Sequence, residues 1–188
     1  MIAAAYRVLA RNPGAASLSE ILTEAKLGTR SFYRHFESKD ALLLAMFEAE
    51  NDRVTRELQE KLAAAGTPSV ALENWIRLYL ALVFDPRRQR RTSVMRLPQI
   101  TVIPGYAAVF VRAQERHRRT LVAALTEGTD TGVFECSDPV GDAVLIQDLV
   151  TSVIARCRDG IQPGTVDDAF AAIHGFVVRA VGARPRGT

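Results

Sequence analysis

With 188 residues, 48% of them hydrophobic, the chain can hold one medium domain, or a small domain joined to a larger one, around a real core. No apolar run reaches about 18 residues, and Met1 leads straight into AAAYRVLA without a basic start or a cleavage site, so neither a membrane span nor a secretory signal is expected. The net charge of +3 is unevenly spread: residues 1–50 balance at six basic and six acidic, residues 86–119 carry nine arginines against the single Glu115, and residues 120–188 carry five basic and nine acidic.

In chain order, Met1 to about Arg11 reads as a helix with Ile2, Ala5, Tyr6 and Leu9 on one side, ended by Asn12-Pro13-Gly14. Ser17 and Glu20 form a capping box, so a second helix starts at Leu18 and buries Leu18, Ile21, Leu22 and Ala25. Lys26-Leu27-Gly28 is a tight turn with Leu27 pointing inward, and Thr29 opens the next helix and is the residue available to cap it. Phe32 and Phe36, four apart, are the inward side of that short helix. At about 100° per residue, Arg30 and Arg34 fall opposite them with Tyr33 alongside. Arginine can pair bidentately with guanine, and Tyr, Ser and His can reach phosphate, so this face suits the DNA major groove. An ordinary surface helix with two solvated arginines fits the same spacing.

Ser38 caps a long helix running to Leu62, with Lys39 in its first turn and Leu42, Leu43, Met46, Phe47, Val54, Leu58 and Leu62 as apolar positions. Ala63 to Gly66 ends it, and Thr67-Pro68 starts the next helix, with Leu72, Trp75, Ile76, Tyr79 and Val83 inside. Asp85-Pro86 opens the arginine-rich RRQRRTSVMR, and Leu97 to Gly105, with two prolines, reads as an irregular connection. A helix from Pro104 or Gly105 to about Glu127 has the stripe Tyr106, Phe110, Ala113, His117, Leu121 and Ala124, with Gln114 beside it. Gly128 to Ser137 is a loop, Asp138-Pro139 starts a helix to Arg158, and Pro163-Gly164 breaks the chain. Thr165 and Asp168 box the last helix, which ends near Val181, and the tail Arg184 to Thr188 frays. The last two helices are apolar over an arc wider than one stripe, so they are buried on more than one side.

The run Phe32-Tyr33-Arg34-His35-Phe36-Glu37-Ser38-Lys39-Asp40-Ala41-Leu42 resembles the motif "L-Y-x-H-F-x-S-K-E-x-L" of the TetR-like family of transcriptional repressors. The resemblance covers roughly the first quarter of the chain; beyond it only the layout matches. It implies an all-α fold, with a three-helix helix-turn-helix DNA-binding domain over residues 1–46 and a larger helical ligand-binding and dimerisation domain over 47–188. By the resemblance Thr29 and Arg30 read bases, Ser31, Tyr33, His35 and Lys39 grip phosphate, and Ser17 and Arg34 complete the DNA-facing set. The resemblance also implies that the last two helices pair with their copies in a second subunit, through Val144, Leu149, Val153, Phe170, Ile173 and Val177. The chain departs from the pattern in three places. Lys26-Leu27-Gly28 stands where Gly-Val-Ser is usual, Arg30 stands where Gly is frequent, and no basic arm precedes the first helix. Either the protein does without that arm or Met1 is not the natural start.

No catalytic motif stands up: there is no G-x-S-x-G, P-loop or H-E-x-x-H. The histidines, His35, His117 and His174, have no ligand-spaced partners, and Cys136 and Cys157 read as free thiols, so no enzyme activity, metal or cofactor is expected. Trp75, Tyr79, Met95, Tyr106 and Phe110 suit the walls of an apolar ligand pocket, with Gln114 and His117 as polar anchors; plain core packing explains the same residues. The arginine block is a salt-bridged surface, an attraction for DNA phosphate, or a seat for the anionic head of an effector. The reading that follows is a cytoplasmic, homodimeric regulator, a repressor that binds a palindromic double-stranded operator and is released by a small, largely apolar molecule, with no membrane partner. The alternative is a helical ligand-binding or scaffold protein that has lost DNA binding.

Overall fold

The computed structural model describes residues 1–13, 16–161 and 164–183. Every regular element among the described residues is a helix: α1 Ile2–Arg11, α2 Leu18–Ala25, α3 Thr29–Tyr33, α4 Lys39–Ala63, α5 Pro68–Phe84, α6 Pro86–Val94, α7 Pro98–Thr101, α8 Tyr106–Asp130, α9 Pro139–Arg158 and α10 Val166–Ala180. None of them is long and apolar enough to cross a membrane. The expectations at Gly14, at Pro163 and for the tail from Arg184 lie outside the described residues.

Helix starts follow side chains that satisfy otherwise orphaned backbone N–H groups. Ser17 Oγ accepts from the Glu20 N–H while the Glu20 carboxylate accepts from the Ser17 N–H. Thr165 and Asp168 repeat that box on α10, and Ser38, Thr67 and Asp138 cap α4, α5 and α9. Pro68, Pro98 and Pro139 stand at the first position of their helices, where a missing N–H costs nothing.

The chain divides into two compact units that are not consecutive stretches. The first joins Met1–Arg53 to Pro86–Gln114; the second joins Val54–Asp85 to the chain from Glu115 onward. Helices α4 and α8 contribute residues to both. In the first unit Leu9, Ile21, Phe32, Leu42 and Leu43 are sealed, and Val94, Met95, Ile100, Ile103 and Val109 complete the same core. The second packs Leu58, Leu72, Trp75, Ile76 and Leu80 against Leu121, Leu125, Val150, Ile173 and Val177. Each fully buried side chain of this size contributes about 1.5–3 kcal/mol.

Several expectations are corrected. Leu27 is 37% exposed instead of inward. The chain turns at Lys26, whose φ is 53°, and the Leu27 N–H returns to the Leu22 carbonyl at 3.0 Å. This is the closing bond of a Schellman turn, with Leu27 at its outer corner. The α3 cap is Gly28, without a side-chain bond, and Thr29 already lies inside the helix. The connection after Leu97 contains the turn of helix α7, because Pro98 fits a helix start as well as a break. Gly128 does not end α8, which continues to Asp130. A Cβ on Gly128 would lie 2.1 Å from the Phe134 ring, so glycine here admits an aromatic ring against the helix rather than breaking it. Phe110 is 40% exposed, and Val109 takes its inward place.

Candidate functional site

Helix α3 is short and depends on its anchor. Phe32 is fully buried, with the Tyr33 ring edge-on at 5.1 Å and the Phe36 ring at 5.9 Å. With that side fixed, Thr29, Arg30, Tyr33, Arg34 and His35 are exposed, and Ser31 is half-buried. Helix α2 is held to α1 by Glu24, which accepts from Arg7 at 2.7 Å and from Arg11; these bonds keep its carboxyl below the ordinary range. Two of the expected DNA-facing residues already have local partners. Ser17 is engaged in its capping box, and the half-buried Lys39 donates from Nζ to the Ala16 carbonyl. Beside α3 an open groove of about 710 Å³ is lined by Met1, Ile2, Ala3, Leu27, Ser31, Arg34, His35 and Phe36.

The expected ligand residues fall into two groups. Met95, Tyr106, Phe110 and Gln114 belong to the first unit, where Met95 is core and the Tyr106 ring lies 4.6 Å from Phe47 and 6.2 Å from Phe110. Trp75, Tyr79 and His117 belong to the second and form a sealed polar cluster. The Trp75 and Tyr79 rings stack at 4.2 Å. Trp75 Nε1 donates to the His117 carbonyl at 3.3 Å, and the Tyr79 hydroxyl lies 3.0 Å from His117 Nδ1. Gln147 Nε2 donates to that hydroxyl at 3.2 Å. Burial pushes the Tyr79 phenol well above its ordinary pKa. An imidazole, a phenol and a carboxamide thus satisfy one another inside an apolar core, which makes the cluster stable where it is.

Sequence reasoning missed Gln147, although it sits at helical spacing among Ala143, Ile146 and Val150. It also missed Glu50, which interrupts the apolar stripe of α4 between Met46 and Val54 and is only 7% exposed. Of the expected interface residues, Ile173 and Val177 lie in the second unit's own core, while Val144, Leu149, Val153 and Phe170 are half-buried. The exposed apolar side chains on α9 and α10 include Leu145 and Phe176. Among the described residues no three His, Cys, Asp or Glu side chains gather as a metal site. Cys136 is buried, with its thiol pushed up to about 11 by desolvation and by Asp142.

Residues 1–46 match the family model described as bacterial regulatory proteins of the tetR family, which bears out the resemblance read from the Phe32–Leu42 run. No curated protein matches the chain. Among solved structures it is similar to a TetR-family regulator from Mesorhizobium loti, at 16% identity, with a TM-score of 0.78 and coverage of 95% of this chain and 93% of that one. It is similar also to FadR from Bacillus subtilis in complex with stearoyl-CoA, at 17% identity, TM-score 0.75 and coverage of 94% and 95%. Reduced NemR from E. coli gives 16% identity, TM-score 0.77 and coverage of 98% and 97%. At such identities these likenesses establish the fold: all-helical and TetR-like, with an N-terminal helix-turn-helix.

Proposed function

We propose that the chain is a ligand-responsive transcriptional regulator, a repressor acting in the cytoplasm, that binds a palindromic operator as a homodimer and leaves it when a small molecule binds. The observation that carries this reading is the division of α3. Phe32 is sealed into the core while Thr29, Arg30, Tyr33, Arg34 and His35 stand exposed on a helix-turn-helix whose preceding helix is capped and ion-paired. Residues 1–46 hold the DNA-binding role, Thr29 and Arg30 reading bases, Ser31, Tyr33, His35 and Lys39 holding the backbone and Arg34 completing the DNA-facing set, with Ser17 fixing the start of α2. The division of roles at residues 46 and 47 is one of function; the compact unit containing the DNA-binding helices also includes residues 86–114.

The dimer forms on α9 and α10, through Val144, Leu149, Val153 and Phe170 together with the exposed Leu145 and Phe176. The effector is largely apolar. That part of the reading is supported by a fold shared with a regulator bound to stearoyl-CoA.

The test is fluorescence anisotropy with the duplex DNA upstream of the protein's own coding region. Arg30→Ala should weaken binding by about 1–3 kcal/mol and flatten the preference at one base position in each half-site. If the wild type fails to bind that DNA, or the folded variant binds with unchanged affinity and preference, α3 is not the reader. The scaffold alternative is then the better account.

A further inference from the structure

Among the described residues Glu50 is a charged side chain that is sealed, and its partners come from two helices. On its own helix Arg53 approaches at 2.6 Å. From α6, forty-one residues further along, Arg91 reaches Glu50 at 3.2 Å and lays its guanidinium 5.1 Å from the centre of the Tyr6 ring on α1. One arginine of the basic block therefore touches both the first helix and the long fourth helix, all within the first compact unit. Arg53 neutralises Glu50 locally, so Arg91 is not needed to make the buried carboxylate tolerable.

We propose that Arg91, held by Glu50 and by the Tyr6 ring, is a positioning residue: it pins the arginine-rich α6 against α1 and α4 and thereby sets the placement of the helix-turn-helix for DNA. The proposal rests on the reading above that α3 and the start of α4 meet DNA. Distance separates this role from direct phosphate contact. Glu50 stands eleven residues beyond Lys39. At 1.5 Å per residue that is about 16 Å of helix, roughly two Debye lengths at physiological salt, so a charge there acts weakly on a phosphate at Lys39. Its influence is mechanical.

Arg91→Gln removes the charge and leaves Glu50 paired with Arg53, so the fold should survive. At fixed salt the variant should bind upstream DNA about three- to tenfold more weakly. Its slope of log affinity against log salt should match the wild type. Lys39→Gln, which keeps a donor for the Ala16 carbonyl, should instead lower that slope by roughly one unit per subunit. Arg91→Lys should restore most of the affinity. Without DNA, amide hydrogen exchange in α1 and α6 should quicken in Arg91→Gln and not in Arg91→Lys. A slope that falls as it does for Lys39→Gln would mean that Arg91 itself touches phosphate and overturns the proposal. Unchanged exchange in α1 and α6, unchanged affinity in the folded variant, or no rescue by lysine overturns it too. Should the wild type bind no duplex DNA, the functional reading fails by that result alone, and with it the DNA-placing half of the proposal. The exchange data then decide the pin itself.

Discussion

In the first unit arginines meet carboxylates, at the surface where Arg7 and Arg11 hold Glu24 and Arg112 holds Glu48, and in the interior where Arg91 and Arg53 hold the buried Glu50. The second unit hides an imidazole, a phenol and a carboxamide in its core and lets them satisfy one another. Their balance of charge differs as well. The first unit holds thirteen Lys and Arg against seven Asp and Glu, the second eleven against fourteen. The helix-turn-helix does not supply that excess, since residues 1–53 carry seven of each sign. It comes from residues 86–114, which fold with those helices and carry six arginines and no carboxylate. A DNA-binding stretch that is neutral in sequence thus becomes part of a basic body through a segment that follows it by more than thirty residues.

The sharpest way to break the contrast is to charge the second unit's apolar positions. Val177 is fully buried and its neighbour Phe176 is 54% exposed. Val177→Asp should unfold the second unit, costing about 3–5 kcal/mol, because it buries an unpaired carboxylate. Phe176→Asp should change the melting of the chain by no more than about 0.5 kcal/mol while shifting sedimentation from dimer towards monomer. If Phe176→Asp melts like Val177→Asp, the surface of α10 belongs to the chain's own core. If it leaves a dimer intact, the second copy docks elsewhere.

A smaller effect probes the buried cluster. Tyr79→Phe removes the hydroxyl that meets both His117 and Gln147. It keeps the ring that stacks on Trp75. The loss should be about 1–3 kcal/mol in urea unfolding, since the two polar groups stay buried without that bond. A neutral result would mean that water or another side chain replaces the hydroxyl, and that the cluster is looser than its distances say.

Local chemistry made the helices legible in the sequence. Boxes at Ser17–Glu20 and Thr165–Asp168, and cap-proline pairs at Thr67-Pro68 and Asp138-Pro139, place helix starts to within a residue. The outward side of α3 was legible for the same reason, because Phe32 and Phe36 fix the opposite face. What periodicity cannot state is what a face packs against. Met95 fits a pocket wall and plain core packing equally well in the sequence; it is core of the first unit. Ile173 and Val177 looked like interface because α10 is apolar over a wide arc, yet that arc has an inner side in the chain itself. Glu50 and Gln147 each break an apolar stripe, a signal present in sequence whose meaning appears only when Arg91 and Tyr79 arrive from distant helices.

The smallest expected effect makes the same change in the other unit. The Tyr6 hydroxyl is buried without a hydrogen-bond partner, and burial raises its pKa, the first sign that the group is poorly solvated there. Tyr6→Phe removes that oxygen and keeps the ring beneath Arg91. A buried hydroxyl with no partner contributes nothing to offset its lost hydration, so the variant should be neutral or more stable by up to about 1 kcal/mol. The ring quadrupole that draws the guanidinium is little changed, so the Arg91 pin should hold and DNA affinity should stay at the wild-type level. The two Tyr→Phe variants then differ in sign although one atom is deleted in each. The difference reports whether the deleted oxygen had partners. Urea unfolding of both, run side by side, reads it directly. A loss of 1 kcal/mol or more at Tyr6 would show that its hydroxyl holds an ordered water or a charged neighbour. The first unit would then bury a bonded hydroxyl beside its Glu50 ion pairs, and the contrast between the units would lie in their balance of charge alone.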